Sequence, residues 1–481
     1  MSQFKNLNPK RVFYYFEQLS SIPHGSGNMN AIAEYCVNFA TMHNLKYVRD
    51  DANNVIIYKD GTQGYQTSAP IILQGHLDMV CQKTINSTVD FEKDGLELFV
   101  DGDFLKAKDT TLGADNGIAV AMVLAILESD DFAHPPIEAV FTTDEEIGMI
   151  GARALDASVL RGKQMINIDS ETEGVVTVSC AGGSDFEVIV PLETTKKVNS
   201  TVRIEISGLS GGHSGIEIHK NRTNANMLAG RILNELKSFM PFDIISIDGG
   251  DKPNAIPNRC VITLCTKFVD DIRLFVDSYY YNTLKPELAD SEPNLKISAV
   301  AGEKAEYEVF ADDIKEKIIY TLLCAPNGVI DMSASIDGLV ETSLNLGILM
   351  TNKDNVTMHF ALRSNKMSSL AFLEKRLCAF FDMLSLNYKT FGHYPAWEYR
   401  EDSPLREAFC QAYTNIYQSN PTVEAIHAGL ECGVFAEKIE DFDCISIGPN
   451  LFDVHTANEK LSISSTDKTF NLIIKILENL K

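Results

Sequence analysis

The apolar run 70–75 ends in His76, and Asp78 follows two residues later. A histidine where such a run stops, with a carboxylate close behind, is a way to build a metal ligand and the acidic partner that orients it. The arrangement returns down the chain. Asp144, Glu145 and Glu146 follow the run 137–143, Asp169 follows 164–168, and Asp453 and His455 follow 444–447. Asp115 stands at the head of the apolar segment 114–128. If these runs are strands of one sheet, their ends converge, and so many carboxylates in one place need a compensating cation. No cluster of lysine or arginine accompanies them. A pair of divalent ions answers the need: one carboxylate bridges both at about 3.5–4 Å, and each ion takes a histidine and a further carboxylate. Mixed nitrogen and oxygen ligands suit zinc, and also cobalt or manganese. Taken singly, each residue has a plainer reading. His76 could be a core or surface histidine, Asp115 a helix cap, Glu145 and Glu146 a solvated turn, and Asp169 and His455 structural groups. Their conjunction at successive strand ends favours the metal site.

The elements that must position these residues are legible as patterns. Segments 11–19, 29–42 and 114–128 read as helices, and 54–58, 70–74, 137–143 and 164–168 as strands, with a short helix around 150–155. This alternation predicts an α/β unit with a mostly parallel sheet and helices on both faces. Ligands in such sheets bind beyond the carboxyl ends of the strands, where the acidic and histidine residues stand. After about residue 185 the pattern changes. Strands at 201–207, 260–268, 294–300 and 355–363 alternate apolar and polar residues, with helices at 223–237 and 366–384. That predicts an α+β unit whose sheet has one wet face. The first rhythm returns with a helix at 405–417, strands at 422–426 and 444–447, and a helix at 466–480. The expected layout is a discontinuous domain, 1–185 with 395–481, interrupted by an inserted domain, 186–394.

Composition narrows the function from another side. The chain has 481 residues and a formal net charge of −24, which argues against nucleic acid or an anionic membrane as partner. No stretch approaches the roughly 20 apolar residues of a membrane span, and no signal peptide is expected. The ten cysteines are scattered without a CxxC pair, as reduced thiols of a cytoplasmic protein would be.

His76 with Asp78, Gly113–Gly117 around Asp115, Asp144–Gly148, Asp169–Ser170 and the late His455 together resemble the M20 metallopeptidases, most closely their aminoacyl-histidine dipeptidase branch. The stretches 14–28, 109–113, 210–215, 254–257 and 429–433 are similar to that branch too, in the same order along nearly the whole chain. The resemblance implies that His76 and Asp169 bind one metal, Glu146 and His455 the other, and that Asp115 bridges them. It implies that Asp78 holds the far nitrogen of His76, and that Glu145 is the general base on a metal-bridging water. The inserted domain would be a lid and dimerisation domain. There His213 would reach the active site of the partner subunit in a homodimer and stabilise the oxyanion, and Asn254 and Arg363 would bind substrate. The implied activity is di-zinc hydrolysis of dipeptides, including Xaa-His (carnosine-like) members. A tripeptidase, carboxypeptidase or N-acyl amino acid deacylase would use the same centre, a phosphoesterase would want basic residues beside it, and a non-catalytic peptide-binding relative would not need Glu145. His219, His359, His393 and His427 have no motif that recruits them and read as structural.

Overall fold

The computed structural model describes residues 4–481. Two compact units divide the chain: Met1–Ser179 with Tyr399–Ala425 and Leu430–Lys481, and Cys180–Glu398 with Ile426–Gly429. The division falls at 179/180 and 398/399 rather than at 185/186 and 394/395. Gly182–Pro191 is one unbroken strand of the second unit's sheet, so the chain has changed units before the alternating pattern becomes visible.

The first unit is built on an eight-stranded sheet in the order Lys46–Arg49, Val55–Lys59, Ile137–Thr142, Ile71–His76, Gln164–Asn167, Asp443–Ser446, Val175–Cys180, Thr422–Ile426. Its four central strands, from Ile137–Thr142 to Asp443–Ser446, run parallel. The pairings that flank them are antiparallel, so the sheet is mixed, with a parallel centre. Parallel neighbours need crossover connections, and the helices Ala114–Glu128 and Ile150–Ala154 supply two of them. Ala114–Glu128 is apolar all round and almost wholly buried, because it packs on the strand Ile71–His76 on one side and on the helix Lys10–Ser20 on another. Its first turn is not helical: Asp115 and Asn116 have extended or bridging dihedrals, after Gly113 at a φ of 68°.

Register then fixes where the strands end. His76 pairs with Thr142, Gln74 with Asn167, and Asn167 with Ser446. The residues that follow His76, Thr142, Asn167 and Ser446 therefore leave the sheet at one edge.

The second unit holds a nine-stranded antiparallel sheet, from Lys296–Phe310 and Thr194–Ser207 at one side to Gly182–Pro191 and Asn387–Tyr394 at the other. Alternate residues Val202, Ile204 and Ile206, and likewise Val356, Met358, Phe360 and Leu362, point into one core. The helices Ala225–Lys237, Val269–Tyr279, Asp312–Cys324 and Met367–Met383 contribute the facing residues, including Leu233, Ile272, Ile318 and Phe381. One face is thus covered and the other wet, as the period of two requires.

Candidate metal centre

Two short stretches deliver the first ligand candidates. The strand Ile71–His76 is buried throughout, and His76 is 1% exposed. Its Nδ1 donates to the backbone carbonyl of Asp78 at 3.0 Å, which turns Nε2 toward the acids. Nε2 lies 3.1 Å from Asp115 Oδ1 and 3.4 Å from Asp169 Oδ1. On the other side, His455 Nε2 lies 3.1 Å from Asp115 Oδ2 and 2.8 Å from Glu146 Oε1. The two oxygens of Asp115 therefore face different histidines. Asp115 does not cap its helix, since its carboxylate is engaged with the two imidazoles.

The structure gives Asp78 a different geometry from the expected one. Its carboxylate is 3.4 Å from His76 Nδ1, longer than the carbonyl contact. Asp78 Oδ1 instead accepts the backbone N–H of Glu145 at 2.9 Å, and Oδ2 that of Glu146 at 3.2 Å. One buried carboxylate thus grips the turn that carries both glutamates. Asp144, at a φ of 53°, starts that turn, and Asp453 stands apart on Lys460 at 3.3 Å.

The electrostatics follow from crowding. Burial of His76 opposes its protonation, but Asp169, Asp115 and Asp78 outweigh it and hold the imidazole well above its usual pKa. His455 is pushed up to about 11 by its hydrogen bonds to Asp115 and Glu146. Burial would raise Asp115, yet the bonds from His455 and His76 hold it well below the usual carboxylate range. Burial raises Glu145 well above the ordinary value, and neighbouring Asp169, Glu431 and Glu146 add to that against the pull of His76. Burial also raises Asp169 to about 6. Among the described residues no lysine or arginine pairs with Asp115, Glu146 or Asp169. The basic groups that meet these carboxylates are the two imidazoles, which are also potential ligands. One ligand atom each from His76, Asp115 and Glu146 fits within 4.8 Å. Such a donor set fits a divalent metal.

Several residues that hold this arrangement carry no signal in the linear pattern. Glu459, 3% exposed, accepts the backbone N–H groups of Leu112, Gly113, Ala114 and Asp115 at 2.8–3.4 Å, and so fixes the loop that presents Asp115. Glu431, fully buried, accepts from Gln74 Nε2 and Thr142 Oγ1, both at 2.6 Å, and ties two adjacent parallel strands just below their ends. Burial pushes Glu459 and Glu431 up to about 7. Asn116 accepts from His76 N at 3.1 Å and donates to the Ile168 carbonyl at 2.7 Å. Glu431 and Asn116 lie inside the stretches 429–433 and 113–117, which was the only hint available; Glu459 lies in none.

Asn116 also explains Gly75. A Cβ there would meet Asn116 Oδ1 at 2.5 Å and the Ala119 Cβ at 2.8 Å. Gly75→Ala is expected to destabilise the protein by about 1–3 kcal/mol, read from denaturant melts, because the helix start or the strand end must shift.

The second unit places the other candidates together. His213 sits in the two-residue strand Gly212–His213, paired with Ala255–Ile256, and Asn254 precedes that partner, its backbone carbonyl accepting from Ser214 N at 2.9 Å. His213 Nδ1 accepts the N–H groups of Gly215 and Ile216 at 3.1 and 3.2 Å, so the proton of the ring is on Nε2. Burial and the nearby Arg363 lower its pKa and keep it neutral. Arg363 donates from Nη1 to the Tyr394 hydroxyl at 2.7 Å, and its buried Nε has no hydrogen-bond partner. A surface salt bridge is not what occupies it. His427 bonds Ser343 and Asn365, and is lowered to about 3 by burial, Arg363 and His213. His359 and His393 pair with Asp185 and Glu374, each at 2.8 Å.

An α/β unit with clustered carboxylates and histidines beyond the ends of its parallel strands has the architecture of a metallohydrolase. Residues 72–479 match the model of peptidase family M20/M25/M40, and the chain belongs to that family. It is 35% identical over 486 aligned residues to the cytosol non-specific dipeptidase of Escherichia coli K12, covering 100% of this chain and 99% of that protein. It is 36% identical to the aminoacylhistidine dipeptidase of Vibrio alginolyticus, whose crystal structure superposes with a TM-score of 0.91 over 100% of this chain and 98% of that one. The aminopeptidase PepT of Bacillus cereus, at 15% identity and a TM-score of 0.57 over 98% and 99%, shares the fold. Among the described residues no helix is long and apolar enough to cross a membrane.

Proposed function

We propose that this chain is a metal-dependent dipeptidase that hydrolyses the amide bond of dipeptides, Xaa-His members among them, with two zinc ions as resident cofactor. The observation that carries this reading is Asp115, whose two carboxylate oxygens each meet a different histidine with a further carboxylate beside it. His76, Asp169 and one oxygen of Asp115 would hold one ion; His455, Glu146 and the other oxygen would hold the second. Bound there, divalent ions supply a water of lowered pKa and polarise a scissile carbonyl. Glu145 does the proton work. Its carboxylate takes the water's proton and returns it to the leaving amine, and a raised pKa suits the second half of that task. Asp78 keeps Glu145 and Glu146 apart in direction by holding the backbone of both.

The second unit supplies recognition. Arg363, with no carboxylate of its own, offers its fork to the substrate's carboxylate, and Asn254, whose backbone carbonyl holds the residue after His213, would add a polar contact. His213, neutral with its proton on Nε2, is a donor for the developing oxyanion, acting across a homodimer. The Escherichia coli relative is described as cytosolic and the Vibrio relative as acting on aminoacylhistidine, and we assign the cytoplasm and Xaa-His dipeptides on that ground.

The test is a panel of dipeptides, tripeptides and acylated amino acids offered to metal-depleted and metal-restored protein. Dipeptide hydrolysis that vanishes on chelation and returns with zinc, cobalt or manganese is expected. Activity indifferent to chelation would sink the reading, and a preference for tripeptides or acyl amino acids would move it to another member of the family. Metal uptake should also depend on pH. His76 and His455 both have raised pKa values in the metal-free protein, so they carry protons at neutral pH and must release them to bind. Affinity should therefore rise with pH, by up to about tenfold per unit for each proton released. Competition with a chromophoric chelator between about pH 6 and 9 measures this, and a flat profile contradicts it.

A further inference from the structure

We propose that Ser26 is a positioning residue of the hydrolytic reaction, acting through Asp78 on the turn that carries Glu145; the proposal rests on the dipeptidase reading above. Ser26 Oγ donates to Asp78 Oδ2 at 2.8 Å, the same oxygen that accepts the Glu146 N–H at 3.2 Å. Asp78 Oδ1 accepts the Glu145 N–H at 2.9 Å. The Asp78 side chain is fully buried, so the direction of its carboxylate is set by these donors and the His76 ring alone. Two of the donors belong to the turn itself. The third, Ser26, comes from a separate segment that is anchored on its own account.

That anchorage is specific. Met79 N donates to the His24 carbonyl at 3.2 Å and Ser26 N to the Met79 carbonyl at 3.3 Å, so the segment is paired to the chain just after Asp78. One residue on, Gly27 N donates to Asp144 Oδ1 at 2.6 Å. Residues 24–27 therefore hold the 144–146 turn at both its start and its middle, once directly and once through Asp78. The requirement this meets is chemical. Glu145 and Glu146 are adjacent but must serve different partners, one a moving proton and the other His455's side of the centre. A turn free to rock would let the two exchange directions. Without the Ser26 hydroxyl, Asp78 Oδ2 keeps only the longer of its two bonds, and the carboxylate is freer to rotate and release Glu145. Ser26 is only part-buried and, with Glu146, lines one cleft of about 720 Å³, so it is not closed in on every side.

The experiment compares Ser26→Ala, Ser26→Thr and the wild type on one dipeptide, with metal content and Tm measured for each. Ser26→Ala is expected to lower kcat about ten- to a hundredfold with KM within about twofold, with metal content and Tm unchanged. Ser26→Thr, which keeps the hydroxyl, is expected to restore kcat. In a Glu145→Gln background no base remains to be aimed, so adding Ser26→Ala should cost less than about twofold more. Wild-type kcat in Ser26→Ala, a loss that follows Tm or metal content, or an equal further loss in the Glu145→Gln background each overturn the proposal. A wild-type protein without metal-dependent dipeptide hydrolysis would instead overturn the functional reading beneath it.

Discussion

Glu145→Gln is expected to retain metal and fold while losing about 10²–10⁴-fold in kcat, the range a positioned general base contributes. The substitution is nearly isosteric. The contact that holds the residue in place is its backbone N–H on Asp78 Oδ1, which glutamine keeps. The carboxylate itself is raised by burial and by its acidic neighbours, so neutralising it removes a strained charge. The variant should therefore melt at the wild-type temperature or slightly above. Glu146→Gln, one residue away, should behave differently. It weakens the 2.8 Å contact with His455 and is expected to lower metal content as well as rate. Metal analysis beside steady-state kinetics separates the two, and near-wild-type turnover in Glu145→Gln would remove the residue from the proton-transfer role.

The contrast between these neighbours shows what could be read from the chain and what could not. His76, Glu146, Asp169 and His455 are legible because they follow apolar runs, and parallel register carries such positions to one sheet edge, while Asp115 is legible at the head of an apolar helix. Strand-end position is a property of linear sequence. The groups that hold those residues are not. Glu459 is one of 66 acidic residues in a chain of net charge −24, and most acids of such a chain are solvated. Nothing in its spacing indicates that it is buried under four backbone N–H groups. Glu431 lies in a motif stretch, but nothing there gives it its buried partners, and the grip of Asp78 on residues 67 and 68 positions away depends on the fold.

The second unit shows the complementary failure. Strands 201–207 and 294–300 were legible where alternate residues enter the core, but the observed strands Thr194–Ser207 and Lys296–Phe310 run on as a ribbon exposed on both faces. Backbone pairing sustains that extension, and hydrophobic periodicity cannot report it. The units divide a few residues before the change in pattern for a related reason. The first residues of Gly182–Pro191 are small and buried on both faces, so the period of two appears only from Phe186 onward.

Asp115→Asn carries the largest expected effect on the centre itself. Both histidines meet this carboxylate, His76 on Oδ1 and His455 on Oδ2, each at 3.1 Å. An amide preserves the size of the group and the hold of Glu459 on the backbone of the loop, but it turns one of the two oxygens into a donor. One half of the centre then loses an anionic ligand and gains an N–H facing a position where a cation is to sit. The remaining half keeps a histidine and a carboxylate, which is a weaker site. On the proposed two-ion reading, bound metal is expected to fall to one ion per chain or fewer, and dipeptide hydrolysis to fall with it, since the shared carboxylate serves both halves of the centre. Asp453→Asn provides the control. It removes a charge from the same stretch as His455, but from an aspartate whose partner is Lys460. If clustered negative charge alone retained the metal, the two variants would lose it alike. If the two-sided geometry of Asp115 retains it, Asp453→Asn keeps both metal and activity, and only Asp115→Asn loses them.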